Sequence, residues 1–194
     1  NNLFRSFSPS FVSSMIFGMT WNVNSYGNAD KNSTFFRWQI ESGGTFLNFF
    51  NYRIIEVNKL QTYRYLRFNA DFRKNIIIDK NTTLAYRING GIAYSYDKVK
   101  ALPYEKYFFA GGSNSIRAWR PRRLGQGSLK PDLNSGDRIA TDGFFNYNFE
   151  KPGDILIESS IELRRHIVGF IEGAVFVDIG NTWIIDPIIN TTKE

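Results

Sequence analysis

The sequence predicts an all-β protein, an antiparallel transmembrane β-barrel, and three observations predict it. Apolar and polar residues alternate with period two through most of the chain, the signature of strands with one apolar face. Each alternating run is about 10 to 13 residues long, beyond the ~5–6 of an ordinary strand and near the ~11 tilted residues that cross a bilayer. Short and long connections between the runs also alternate, as they do in transmembrane barrels, with tight turns at one end and long loops at the other.

Six runs carry the pattern. In the first, residues 11–23, Phe11, Met15, Phe17, Met19, Trp21 and Val23 oppose Ser14, Gly18, Thr20 and Asn22. The second, 33–43, sets Phe36, Trp38 and Ile40 against Arg37, Gln39 and Glu41. In the third, 64–74, Leu66, Phe68, Ala70 and Phe72 alternate with Arg67, Asn69, Asp71 and Arg73. The fourth, 83–96, places Leu84, Tyr86, Ile88, Ile92, Tyr94 and Tyr96 opposite Thr83, Arg87, Asn89 and Ser95. The fifth, 154–165, has Ile155, Ile157, Ile161 and Leu163 against Asp154, Glu158, Glu162 and Arg164. The sixth, 170–184, has Ile171, Val175, Val177 and Ile179 against Glu172 and Asp178.

A soluble sandwich shows its polar face to water, whereas a membrane barrel shows its apolar face to lipid and encloses the polar one. Run length favours the barrel, and Arg, Asp and Glu recurring on the polar faces suit a hydrated lumen. The connections near 24–32, 74–82 and 166–169 are expected to be short turns, and that near 44–63 to be longer. Residues 97–153 form a long extracellular loop, and Ile184 opens the next one. Tyr26, Tyr52, Tyr63, Tyr65 and Trp183 stand near the expected strand ends and fit interfacial aromatic girdles. Six strands do not close a barrel, since single-chain examples start at about eight, so this is expected to be part of a larger one.

Composition narrows the chemistry. The 194 residues include no cysteine and one histidine, His166. Disulfides, thiolate metal sites and cysteine nucleophiles are excluded, and most imidazole chemistry with them. No catalytic residue, cofactor or metal site is expected. Aromatics make up 16% of the chain, and no stretch of about 18 apolar residues provides a transmembrane helix. The net charge of +6 suits phosphate-bearing partners without distinguishing an anionic membrane surface from nucleic acid. The first residue is Asn1 and no signal-peptide pattern follows it, so a processed form or a piece of a longer chain is expected.

The most specific stretch lies in the long loop: Leu102-Pro103-Tyr104-Glu105-Lys106-Tyr107-Phe108-Phe109-Ala110-Gly111-Gly112-Ser113-Asn114-Ser115-Ile116-Arg117-Ala118-Trp119. It resembles the hallmark loop of the outer-membrane insertase and translocon superfamily, a Gly-Gly-Ser/Asn turn leading into a Val/Ile-Arg-Gly-aromatic tetrad. Two further stretches follow in the family's order. Ser160-Ile161-Glu162-Leu163 is similar to one strand, and Gly173 to Trp183 to the next, which ends in Asp-x-Gly-x-x-Trp. Ala118 replaces the usual glycine, and the extension Trp119-Arg120-Pro121-Arg122-Arg123-Leu124-Gly125 is most similar to TamA-like surface-antigen proteins of Bacteroidetes-type bacteria.

The resemblance implies a BamA/TamA-like barrel of ~16 strands, of which this chain supplies about six, with the long loop docked in the lumen. Arg117 would pair there with Glu162 and Asp178, on a motif made of Gly111, Gly112, Ser113, Asn114, Ile116, Ala118 and Trp119. It implies assembly, insertion or translocation of client outer-membrane or secreted polypeptides in a Gram-negative outer membrane. Lipid, lipopolysaccharide and accessory lipoproteins or a periplasm-spanning protein are the other partners implied. A two-partner-secretion-type transporter is the alternative within the superfamily. A passive porin or adhesin barrel, or a soluble β-sandwich, is the alternative outside it.

Competing chemistries fit less well. The arginines 117, 120, 122 and 123 could clamp phosphates beside Trp119, as single-strand binders do, but in a barrel loop they meet lumen carboxylates or lipopolysaccharide, and no nucleic acid is expected. Gly111 to Ser115 lacks the Lys-Ser/Thr ending of a phosphate loop. Glu162 and Asp178 could form a glycosidase pair, but a neighbouring Arg117 would keep both ionised. The sequons at Asn32, Asn81 and Asn190 are chance matches in an Asn- and Thr-rich chain.

Overall fold

The computed structural model describes residues 10–24, 32–44, 61–96, 101–127 and 150–185. Its strands are β1 (Ser10–Phe11), β2 (Ser14–Val23), β3 (Ser33–Gly43), β4 (Gln61–Thr62), β5 (Tyr65–Asp79), β6 (Thr82–Ser95), β7 (Ile155–Val168) and β8 (Ile171–Trp183). Six of them form one antiparallel sheet in the order β2-β3-β5-β6-β7-β8, and β1 and β4 make a separate two-residue parallel pair. The sheet does not close, so β2 and β8 are its edges. Among the described residues the only helical turn is a 3-10 turn at Tyr104–Lys106, and no helix is long and apolar enough to cross a membrane.

The register places Val23, Ser33, the turn at 80–81 and the turn at 169–170 at one end of the sheet, and Ser14, Gly43, Tyr65, Ser95, Ile155 and Trp183 at the other. One face is bare and apolar: Val175 is 74% exposed and Phe17 66%. The other buries charge: Asp71 is 1% exposed and Glu158 5%. In water this arrangement is inverted, because large apolar side chains belong inside and carboxylates outside. Rings on the bare face meet across strands, with Trp21 stacked on Phe36 at 5.6 Å and Phe72 next to Tyr86 at 5.9 Å.

Several strand ends differ from the alternation pattern. β5 runs to Asp79 rather than stopping near 74, because the consecutive Ile76, Ile77 and Ile78 break the alternation without breaking the strand. A register shift between Ile77 and Asp79 accommodates them. The turn after β5 is therefore only Lys80 and Asn81. The first run is interrupted at Val12 and Ser13, so Phe11 pairs with Thr62 of β4 rather than extending β2. β7 continues through His166, which pairs with Glu172, and the tight turn is Gly169 and Phe170.

The girdle assignment also needs correction. Tyr63 and Tyr65 are buried on the polar side beneath the long loop, while Tyr26 and Tyr52 lie outside the described residues. Trp183 is half-buried. The exposed strand-end aromatics of β6 are Tyr94 and, just beyond it, Tyr96.

Residues 101–127 do not project away from the sheet; they lie across its polar face. Leu102, Phe108 and Ala110 pack with Tyr65, Ala93 and Leu156 into a small core, and Phe108 exchanges backbone hydrogen bonds with Gly153 at 2.8 and 2.9 Å. Gly91 makes this docking feasible, because a Cβ at that position would run into the Phe108 ring and stand 3.0 Å from the Phe68 carbonyl oxygen.

Candidate functional site

The loop tip is a series of short turns built by the Gly-Gly pair. Gly111 and Gly112 both have φ of +102°, a region that L side chains rarely adopt. The Gly112 N–H donates to the Trp119 carbonyl at 2.9 Å, the Ser115 N–H to Gly112 at 3.1 Å and the Trp119 N–H to Ile116 at 3.1 Å. Ile116 is buried, Trp119 half-buried, and Ser113, Asn114 and Ala118 exposed. With Ile116 anchored inward, the tip presents the next side chain, Arg117, to β7 and β8.

Every donor group of Arg117 near the sheet is engaged. Its Nε donates to Asp178 Oδ2 at 2.8 Å, Nη2 to Asp178 Oδ1 at 2.8 Å and Nη1 to Glu162 Oε2 at 2.6 Å. Its backbone N–H also donates to Asp178 Oδ2 at 3.1 Å. The guanidinium carbon lies 3.4 Å from the centroid of the Phe176 ring, a cation–π contact. Glu162 Oε1 accepts from Arg164 Nε at 2.6 Å, so two carboxylates face two guanidiniums. Hydrogen bonding to Asp178 raises the Arg117 pKa further above its already high ordinary value, so the group stays charged. Each of the four carboxylate oxygens accepts at least one hydrogen bond.

A second set of contacts holds the adjoining residues. The Asn114 carbonyl accepts from Arg87 Nη1 at 2.5 Å, and the Ser115 hydroxyl donates to Glu158 Oε2. Glu158 Oε1 also accepts from Asn89 Nδ2 at 2.8 Å and lies 3.1 Å from Arg87 Nη1. Arg87 stands directly opposite Arg73 on β5, a like-charge pair that would repel. Asp71 resolves this by bridging them, at 2.7 Å from Arg73 and 3.0 Å from Arg87.

A third anchor lies at the loop root. Lys106 Nζ is 2.7 Å from Glu41 Oε1, to which the Tyr65 hydroxyl also donates at 2.7 Å. Arg67 donates to the Lys106 carbonyl at 3.1 Å, with its guanidinium over the Phe108 ring at 4.2 Å. The loop is thus tied to β3, β5 and β6 as well as to β7 and β8. Between its tip and the sheet lies a polar cavity of about 340 Å³, lined by Arg73, Arg87, Ser115, Arg117, Glu162 and Arg164 among others.

The structure therefore brings together Arg117, Glu162 and Asp178 and builds their support from Gly111, Gly112 and Ile116. Sequence reasoning missed the parts played by Glu41, Asp71, Arg87, Lys106, Ser115 and Glu158. Their signal was the recurrence of carboxylates on a face expected to be enclosed, each of which requires a cation or several donors. Arg122, with φ of +62°, reaches Glu150 at 3.5 Å and stacks over Phe109 at 4.9 Å. Among the described residues no group of three or more His, Asp and Glu side chains converges to hold a metal ion.

In a comparison with protein families, residues 8–188 match the Omp85 superfamily domain. No curated protein matches the chain.

Proposed function

Because the chain belongs to the Omp85 superfamily, whose barrels insert or translocate polypeptides at an outer membrane, we propose that it is the C-terminal part of a BamA/TamA-like barrel in a Gram-negative outer membrane. Its kind is closest to the TamA-like surface-antigen proteins. In this reading the bare face of the sheet meets lipid, the charged face lines a lumen, and residues 101–127 of the surface loop are docked inside by Arg117. The barrel acts on client outer-membrane polypeptides without catalytic turnover, cofactor or metal. Clients add strands to an opened barrel edge through backbone hydrogen bonds, a form of β-augmentation. Lipopolysaccharide, and accessory lipoproteins or a periplasm-spanning protein, complete its surroundings.

The observation that carries the reading is the seating of Arg117 on both Glu162 and Asp178 beneath an inverted sheet. A passive barrel has no need of a surface loop tied down by paired charges at mid-sheet, about 23 Å along β7 from its loop end at ~3.3 Å per residue. The test is complementation of a strain depleted of the protein. Arg117→Ala should reach the outer membrane yet fail to restore client barrels there, while the parent restores them. Full restoration by Arg117→Ala, or loss of a secreted protein with client barrels unaffected, would overturn the insertase reading.

A further inference from the structure

The cavity beneath the loop tip carries more chemistry than the anchoring of Arg117 requires. Its volume of about 340 Å³ is lined by the guanidiniums of Arg73, Arg87, Arg117 and Arg164. The carboxylates that balance them are unevenly placed. Glu162 lines the cavity, whereas Asp71, Glu158 and Asp178 do not, and the side chains of these three are each 6% exposed or less. They stand behind the arginines they bind. The four cations and four anions of the cluster sum to zero, yet a molecule entering the cavity meets mostly guanidinium. A recess lined by one sign of charge concentrates the opposite sign.

Arg164 has donors to spare. Among the described residues only its Nε is engaged, on Glu162 Oε1 at 2.6 Å, and the side chain is 52% exposed. Its Nη1 and Nη2 form the edge of the guanidinium that matches a carboxylate with two parallel hydrogen bonds. The hydroxyls of Ser113, in the roof, and Ser160, in the floor, line the same cavity and make no hydrogen bond among the described residues. The roof is held without any occupant, because Arg87 binds the Asn114 carbonyl and Ser115 binds Glu158. A preformed site spares the occupant the cost of ordering it. Arg164 also lies two residues nearer the β7–β8 turn than Glu162 and is the more exposed of the two, so the cavity is entered from the short-turn end.

Resting on the reading of the chain as a client-handling barrel, we propose that this cavity binds an acidic side chain of the client polypeptide, an Asp or Glu whose carboxylate sits on Arg164 with Ser113 and Ser160 as further donors. The short turns of such a barrel face the periplasm, the side from which a polypeptide bound for the membrane arrives. Lipid phosphates share the chemistry, but they gather around the bare face, with the sheet between them and the cavity. The volume stands at the low end of the ~300–1,000 Å³ of ligand pockets, which suits a side chain and not a folded partner.

Fluorescence anisotropy on the full-length protein in detergent micelles tests this, with a labelled, C-terminally amidated peptide of Gly, Ser and Glu and the same peptide with Gln for Glu. The Glu peptide is expected to bind about tenfold tighter or more, to weaken with added salt, and to lose about tenfold in Arg164→Gln. Limited proteolysis within 97–153 accompanies it, since Arg164→Gln also takes a donor from Glu162. If that variant undocks the loop, Ser113→Cys and Asn81→Cys decide, each holding the only cysteine of the chain. With a thiol-reactive group on both peptides, the Glu peptide is expected to label faster than the Gln peptide at 113 and no faster at 81. Equal binding of the two peptides, binding unchanged in Arg164→Gln, or no preference at 113 would overturn the site. Binding of inorganic phosphate without binding of the Glu peptide would overturn it too, as a site for small anions only. Each of these results leaves the insertase reading standing, because complementation by Arg117→Ala tests that reading separately.

Discussion

Arg117 compensates two carboxylates that strand alternation places on the same side of neighbouring strands. Removing its side chain leaves Asp178, which is 5% exposed at the side chain, without its bidentate partner. Arg117→Ala is therefore expected to cost about 2–4 kcal/mol, less than the ~3–5 for a fully buried pair because the arginine is a quarter exposed. Urea unfolding in vesicles would read the loss, and limited proteolysis should show faster cleavage within 97–153 of a still-folded sheet. Arg117→Lys should recover part of it, since an ammonium cannot copy the planar fork that engages both acids. A double-mutant cycle with Asp178→Asn should show strong coupling; additive effects would contradict the contact. At Gly91, alanine would drive a methyl group into the Phe108 ring and against the Phe68 carbonyl, an overpacking expected to cost about 1–3 kcal/mol. A Phe108→Ala background should relieve that penalty.

Among the elements, alternation made the two faces of each strand legible, since a period of two is a local property of the chain. Strand length was less legible: Ile76 to Ile78 read as the end of a pattern, whereas the ladder with β6 continues through a register shift. The burial of Tyr63 and Tyr65 was not legible, because what covers them is a loop remote in sequence. The same holds for Lys106 on Glu41: Lys106 lies within the hallmark stretch, but nothing in that stretch points to a partner on β3. That anchor gives a prediction for the loop as an element. Lys106→Ala leaves a 4% exposed Glu41 with the Tyr65 hydroxyl as a remaining donor, a loss of about 1–3 kcal/mol. It should loosen the loop root, measured as proteolysis near residue 106, without releasing Arg117. For the sheet, Val175→Arg on the bare face should cost about 2–4 kcal/mol if that face lies in lipid, and Ala174→Ser on the opposite face much less. Equal costs would mean that the faces are assigned wrongly.

For the whole molecule, the central claim is that an inverted sheet, apolar on its bare face and charged beneath a docked loop, is a piece of outer-membrane barrel. Among the described residues β2 and β8 are the sheet's edges, and because hydrocarbon does not tolerate unpaired backbone groups, the proposed barrel requires a partner strand at each. Exposing Phe17, Val175 and Ile179 to water would create an apolar patch far beyond what a soluble monomer shows. Membrane fractionation of the native protein addresses the claim most directly, by density separation of inner and outer membranes followed by a urea wash. The protein is expected to stay with outer membranes through the wash and to leave them only in detergent. Recovery as a soluble, detergent-free monomer would contradict the account.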